Sequence, residues 1–61
     1  MFIRIKSTGR VYLGDWDCST EFFWVDGDPK TGVIILSRKG EKRTVKGVLK
    51  GKRFYTDWTG E

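Results

Sequence analysis

Residues 20–38, TEFFWVDGDPKTGVIILSR, contain two apolar runs separated by the clearest turn signal in the chain. The runs, 20–25 and 33–38, have the length and the β-branched or aromatic composition of strands. Between them, Pro29 fixes its own φ angle, and the surrounding aspartates and glycines favour a tight turn. The second run is therefore expected to pair back on the first. This stretch predicts an antiparallel hairpin.

The same pattern of short alternating runs continues on both sides of this hairpin. Residues 2–6, FIRIK, and 11–13, VYL, alternate between apolar and other side chains and are separated by a glycine-containing turn. Residues 42–50 form a further run, in which Gly47 indicates a bulge or a sharp bend. A last run covers 53–58. The chain has no alanine, the best helix-forming residue, so nothing in it favours a helix of more than one turn.

These runs predict an all-β protein with a five- or six-stranded antiparallel meander. A chain of 61 residues is one domain, 1–61, and it must curl its sheet to bury one face. We therefore expect a small SH3-like barrel, with an OB-like barrel as the second choice. An open, bent sheet that dimerises is the alternative.

Aromatic residues, 15% of the chain, are expected to fill the core of so small a domain. Phe23 and Phe54 are the first candidates. The run 20–25 is apolar on both faces, with Phe23 and Val25 on one face and Phe22 and Trp24 on the other. Such a strand is either covered on both sides or presents aromatic side chains to a partner.

Several kinds of chemistry lack the residues they need. The chain has no histidine and a single cysteine, Cys18, so the usual general base, a disulfide and a structural zinc site are missing. It has no glycine-rich phosphate loop. We expect a binding protein that is not an enzyme and that needs no metal or cofactor. Cys18 is expected to be a small buried residue, and an unpaired thiol suits the reducing cytoplasm. No apolar run is long enough for a membrane span.

Positive charge is concentrated in the second half of the chain. The net charge is +4, and residues 38–53 hold eight basic residues and one acidic residue. In a regular strand 42–50 the side chains of Lys42, Lys46 and Lys50 share one face, and the next turn brings an aromatic residue beside them. Cations next to an aromatic ring suit a phosphate backbone and its bases. The favoured function is therefore low-specificity binding of DNA or RNA, with the expected contacts Arg38, Lys39, Lys42, Arg43, Lys46, Lys50, Lys52, Arg53 and Tyr55.

Two other interpretations remain open at the level of sequence. Lysines on an edge strand also protect a sheet from aggregating through its edge. Alternatively, the protein is an interaction module, a small accessory or inhibitor protein of the kind that viruses encode, or a homodimer. Such a module would use an exposed aromatic face made of Trp16, Phe22 and Trp24, or would add its edge strand to a partner's sheet.

Overall fold

The computed structural model describes residues 1–14 and 18–60. In these residues the chain forms strands, one short 3-10 turn and no α-helix, so the predicted all-β class is confirmed. The elements are β1 Phe2–Ile5, β2 Arg10–Leu13, β3 Cys18–Asp28, the 3-10 turn Pro29–Thr31, β4 Val33–Arg38, β5 Glu41–Lys46, β6 Val48–Lys50 and β7 Arg53–Tyr55.

All seven strands belong to one antiparallel sheet with the order β5-β4-β3-β2-β1-β7-β6. The predicted count of five or six strands is wrong because Gly47 divides the run 42–50 into two strands with different neighbours. A Cβ atom at Gly47 would collide with the carbonyl oxygen of Tyr55. Only glycine allows the two backbones to approach so closely.

The sheet is strongly curled. Strands β5 and β6 lie at opposite ends of the strand order, yet Gly47 alone separates them in sequence. Two further bonds fix this corner: the Gly47 amide donates to the carbonyl of Gly32 (2.9 Å), and the Thr56 hydroxyl donates to the carbonyl of Lys46 (2.5 Å). In the described part of the chain no hydrogen-bonded ladder joins β5 to β6. The sheet is therefore not closed, and the predicted SH3-like barrel is not confirmed.

The concave side of the sheet holds the hydrophobic core. Ile5, Leu13, Leu49 and Trp58 are half-buried against it, and the Trp58 ring meets the Phe22 ring edge-on at 5.2 Å. The buried apolar residues of the core come from six of the seven strands: Ile3, Val11, Phe22, Ile34, Leu36, Val45 and Phe54.

Phe22 and Phe23 lie on opposite faces of β3 as predicted, but the prediction that Phe23 belongs to the core is wrong. Phe22 is completely buried, whereas Phe23 is 39% exposed. Because both faces of this strand are apolar, its sequence does not determine which one turns inward. A shift of register between Trp24 and Asp26 then leaves Val25 as an extra residue, 54% exposed. Cys18, expected to be buried, is exposed at the start of the strand.

The turn predicted around Pro29 is present. Pro29–Thr31 form a single 3-10 turn, and the Asp28 carboxylate accepts a hydrogen bond from the amide of Lys30 at 2.9 Å. Gly32 ends the turn in the left-handed region, with φ 86°. Within residues 1–14 and 18–60, no helix has the length and apolar character that crossing a membrane requires.

Candidate nucleic-acid interface

Strands β1, β7 and β6 lie side by side at one end of the sheet and present their outward side chains together. Phe2 and Val48 lie opposite Tyr55 from the strands on either side of it. Lys50 lies opposite Arg53 in the next row. The alternate residues of these strands, including Ile3 and Phe54, point into the core. The sheet thereby turns every second side chain of three strands toward solvent.

Cations and rings are in direct contact on this surface. The guanidinium of Arg53 lies 4.7 Å from the centroid of the Phe2 ring, and the Lys50 ammonium lies 5.4 Å from the centroid of Tyr55. The two rings are 5.5 Å apart. Arg4, the next outward residue of β1, lines a shallow groove together with Phe2 and Arg53. We call this set, Phe2, Arg4, Lys50, Arg53 and Tyr55, the cation–aromatic face.

The strands of the cation–aromatic face contain basic but no acidic residues. Strands β1, β6 and β7 contain Arg4, Lys50 and Arg53 and no acidic residue. Lys50 and Arg53 are exposed, and the rings of Phe2 and Tyr55 are half-buried. Cation–π contacts orient the cations over the rings and leave their N–H groups available to oxygen acceptors. The surface can therefore bind an anion and stack a planar group at the same time.

Part of the predicted set lies at this surface. The sequence correctly placed Lys50, Arg53 and Tyr55 beside one another, as the β6–β7 register shows. Lys52 occupies the turn between these strands and lines the groove over Phe2 and Arg4. Lys46 ends β5 beside Gly47 and shares a small groove with Tyr55. These five residues form one continuous region around the corner of the sheet.

Two predicted arginines, Arg38 and Arg43, lie away from this surface and beside the core. The guanidiniums of Arg38 and Arg43 lie 4.7 Å and 6.0 Å from the centroid of the buried Phe22 ring. Both donate hydrogen bonds to the same carboxylate oxygen of Glu41, at 3.2 Å and 3.3 Å, and Arg38 also approaches Glu21 at 3.8 Å. Their charge is therefore partly neutralised and held against the core.

The remaining predicted contacts, Lys39 and Lys42, lie at the other end of β5. Lys39 is in the β4–β5 turn with φ 52°, and Lys42 is exposed opposite Ser37. Four residues of strand, about 13 Å, separate Lys42 from Lys46. Since β5 is an edge strand, this position favours a role for Lys42 in protecting the edge.

Sequence reasoning missed Phe2 and Arg4. Their alternation with Ile3 and Ile5 was visible, and it placed Arg4 on a solvent face. What the sequence lacks is a signal that β1 pairs with β7, which lies some fifty residues later in the chain. Pairing over such a separation depends on the curl of the whole sheet rather than on any local turn.

The exposed aromatic and apolar residues of β3 differ from those predicted to bind a protein partner. Phe22 is buried and unavailable, and Trp16 lies outside the described residues. Trp24 is 39% exposed. Phe23 and Val25 are exposed in their place and line a groove of about 490 Å³ with Arg10, whose guanidinium lies 5.3 Å from the centroid of the Phe23 ring.

Among residues 1–14 and 18–60, no three histidine, cysteine or acidic side chains are grouped as a metal site would need. Comparison with protein-family models, with curated proteins and with solved structures finds no match for this chain. The geometry of its own surface is therefore what supports a function.

Proposed function

We propose that the protein binds nucleic acid with little sequence specificity through the cation–aromatic face. The observation that carries the proposal is the pairing of two rings with two exposed cations, Phe2 with Arg53 and Tyr55 with Lys50, across three adjacent strands. Phosphates are bound by the cations, and bases stack on the planes of the rings and guanidinium groups. Every base has such a planar face, so this mode of binding does not select sequence.

The proposal also covers the type of fold and the cellular location of the protein. The curl that brings β5 and β6 together at Gly47 supports a small barrel-like fold of the SH3 type, open along one seam. Such a fold places a binding surface on short strands and turns rather than in a deep enclosed site. The protein acts by binding and not by catalysis, and the single cysteine supports a cytoplasmic location.

Salt dependence tests the proposal. Fluorescence anisotropy would follow binding of a labelled single-stranded oligonucleotide of about ten nucleotides, a length within the usual site sizes. With Lys46, Lys50, Lys52 and Arg53 all exposed, three or four phosphate contacts predict a slope of log affinity against log salt of about −2 to −3. Absence of binding to single-stranded or duplex DNA and RNA at low salt would contradict the proposal.

A protein partner is the second candidate, and the exposed apolar side chains of β3 favour it. Phe23 and Val25 lie in the groove described above, between Arg10 and the β4–β5 turn. An exposed apolar patch with a charged rim is typical of interfaces, including those between identical chains. Sedimentation velocity at rising concentration tests the homodimer. This candidate predicts a dimer that the substitution Val25→Lys dissociates, and a monomer at all concentrations would contradict the homodimer.

A further inference from the structure

A cleft of about 620 Å³ opens on the concave side of the curled sheet. Its volume lies within the usual range for pockets that bind small molecules. Trp24 lines one wall and is 39% exposed, although it belongs to the inward-facing side of β3, opposite Leu36. The other apolar lining residues are Ile3, Ile5, Pro29, Leu49 and Phe54.

The rim of this cleft is positively charged. Lys6, Lys30 and Lys52 line it, no acidic residue among 1–14 and 18–60 does, and all three lysines are exposed. Lys30 is placed there by the 3-10 turn that Asp28 caps. An apolar interior with an indole wall and a cationic mouth is complementary to a flat organic group that carries phosphates.

Lys52 connects the cleft to the cation–aromatic face. It lines the cleft and also the shallow groove that contains Phe2, Arg4 and Arg53. A nucleic-acid strand lying on the outer face therefore reaches the cleft by passing over the β6–β7 turn. Along this path it stays close to positive charge.

Resting on the proposed function, we infer that the cleft receives one unpaired nucleobase of the bound strand, stacked on Trp24, with its phosphates at Lys6, Lys30 and Lys52. A base enters only when it has left its own stack and pair. A duplex would have to break a pair to use the site. The cleft therefore strengthens the preference for single-stranded over double-stranded nucleic acid that stacking on the outer rings already requires.

The test compares three probes of equal length: a single-stranded oligonucleotide, its duplex and a fully abasic strand that keeps every phosphate. Wild-type protein is expected to bind the single strand at least about tenfold more tightly than either other probe. Trp24→Leu should lower affinity for the single strand about tenfold and leave the abasic strand unchanged. Phe23→Leu is the matched control, because Phe23 directly precedes Trp24, is equally exposed and lies outside the cleft. It should change affinity less than twofold.

A second measurement uses the wild-type protein alone, so it does not depend on whether a variant folds. A single strand containing 5-iodouracil, irradiated in complex with the wild-type protein, should crosslink to Trp24, as peptide mass mapping would show. If the crosslink falls only on Phe2 or Tyr55, or if Trp24→Leu binds all three probes as wild type does, the cleft is not a base site, although the proposed function stands. If wild type binds none of the probes, the proposed function and this inference both fail.

Discussion

The guanidinium of Arg53 lies 4.7 Å from the centroid of the Phe2 ring, and this contact joins the last strand of the chain, β7, to the first, β1. The contact forms because β1 pairs with β7, with Phe2 opposite Tyr55. A cation from the basic half of the chain thus lies on a ring from its N-terminal strand. This relationship turns a linear cluster of charge into a surface able to bind phosphate and base together.

Removing the ring of Tyr55 should weaken binding without changing its dependence on salt. Tyr55→Leu keeps an apolar group in the outward row but removes the stacking surface, and affinity for a single-stranded oligonucleotide should fall about tenfold. The salt slope should remain unchanged because no cation is lost. Anisotropy titrations at several salt concentrations measure both quantities. An unchanged affinity would show that bases do not stack on this face.

The orientation of β3 predicts unequal effects for two neighbouring phenylalanines. Phe22 is fully buried and Phe23 is exposed, so Phe22→Leu should lower the free energy of unfolding by about 1–2 kcal/mol. Phe23→Leu should lower it by less than about 0.5 kcal/mol. Urea denaturation followed by circular dichroism gives both values. Equal losses, or a larger loss at Phe23, would mean that the strand faces the other way.

The corner between β5 and β6 should tolerate no side chain at Gly47. A Cβ atom there meets the carbonyl oxygen of Tyr55, so Gly47→Ala should destabilise the protein by about 1–3 kcal/mol. At Gly51 a Cβ meets nothing within 4 Å, and its φ of 63° suits asparagine. Gly51→Asn should therefore cost less than about 1 kcal/mol. Thermal unfolding of both variants checks the difference, and a Gly47→Ala protein as stable as wild type would contradict this corner.

Local patterns in the sequence predicted the strands but not the way the sheet joins its ends. Alternation and turn residues gave the hairpin around Pro29 and the pairing of Lys50 with Arg53. They indicated a bulge or bend at Gly47 but not the division into two strands, because the close approach of Gly47 to Tyr55 is not visible in the local sequence.

In the candidate site, too, local contacts were predicted and contacts between distant parts of the chain were not. Tyr55 and Lys50 were predicted together because one short hairpin holds both. The sequence did not predict that Arg38 and Arg43 lie beside the Phe22 ring. Because β3 is apolar on both faces, its sequence does not show that Phe22 is the residue that turns inward. Phe2 was missed because its neighbour Arg53 comes from the far end of the chain.

One pair of substitutions tests the binding face most directly, because each removes a single positive charge from the same protein. Arg53 is exposed on the cation–aromatic face, whereas Arg43 is bonded to Glu41 beside the Phe22 ring. We expect Arg53→Gln to weaken binding of a single-stranded oligonucleotide about fivefold and to reduce the salt slope by about 0.7. Arg43→Gln should change affinity less than twofold and leave the slope as it is. Equal losses from the two variants would contradict the account, since binding would then depend on net charge alone and not on this face.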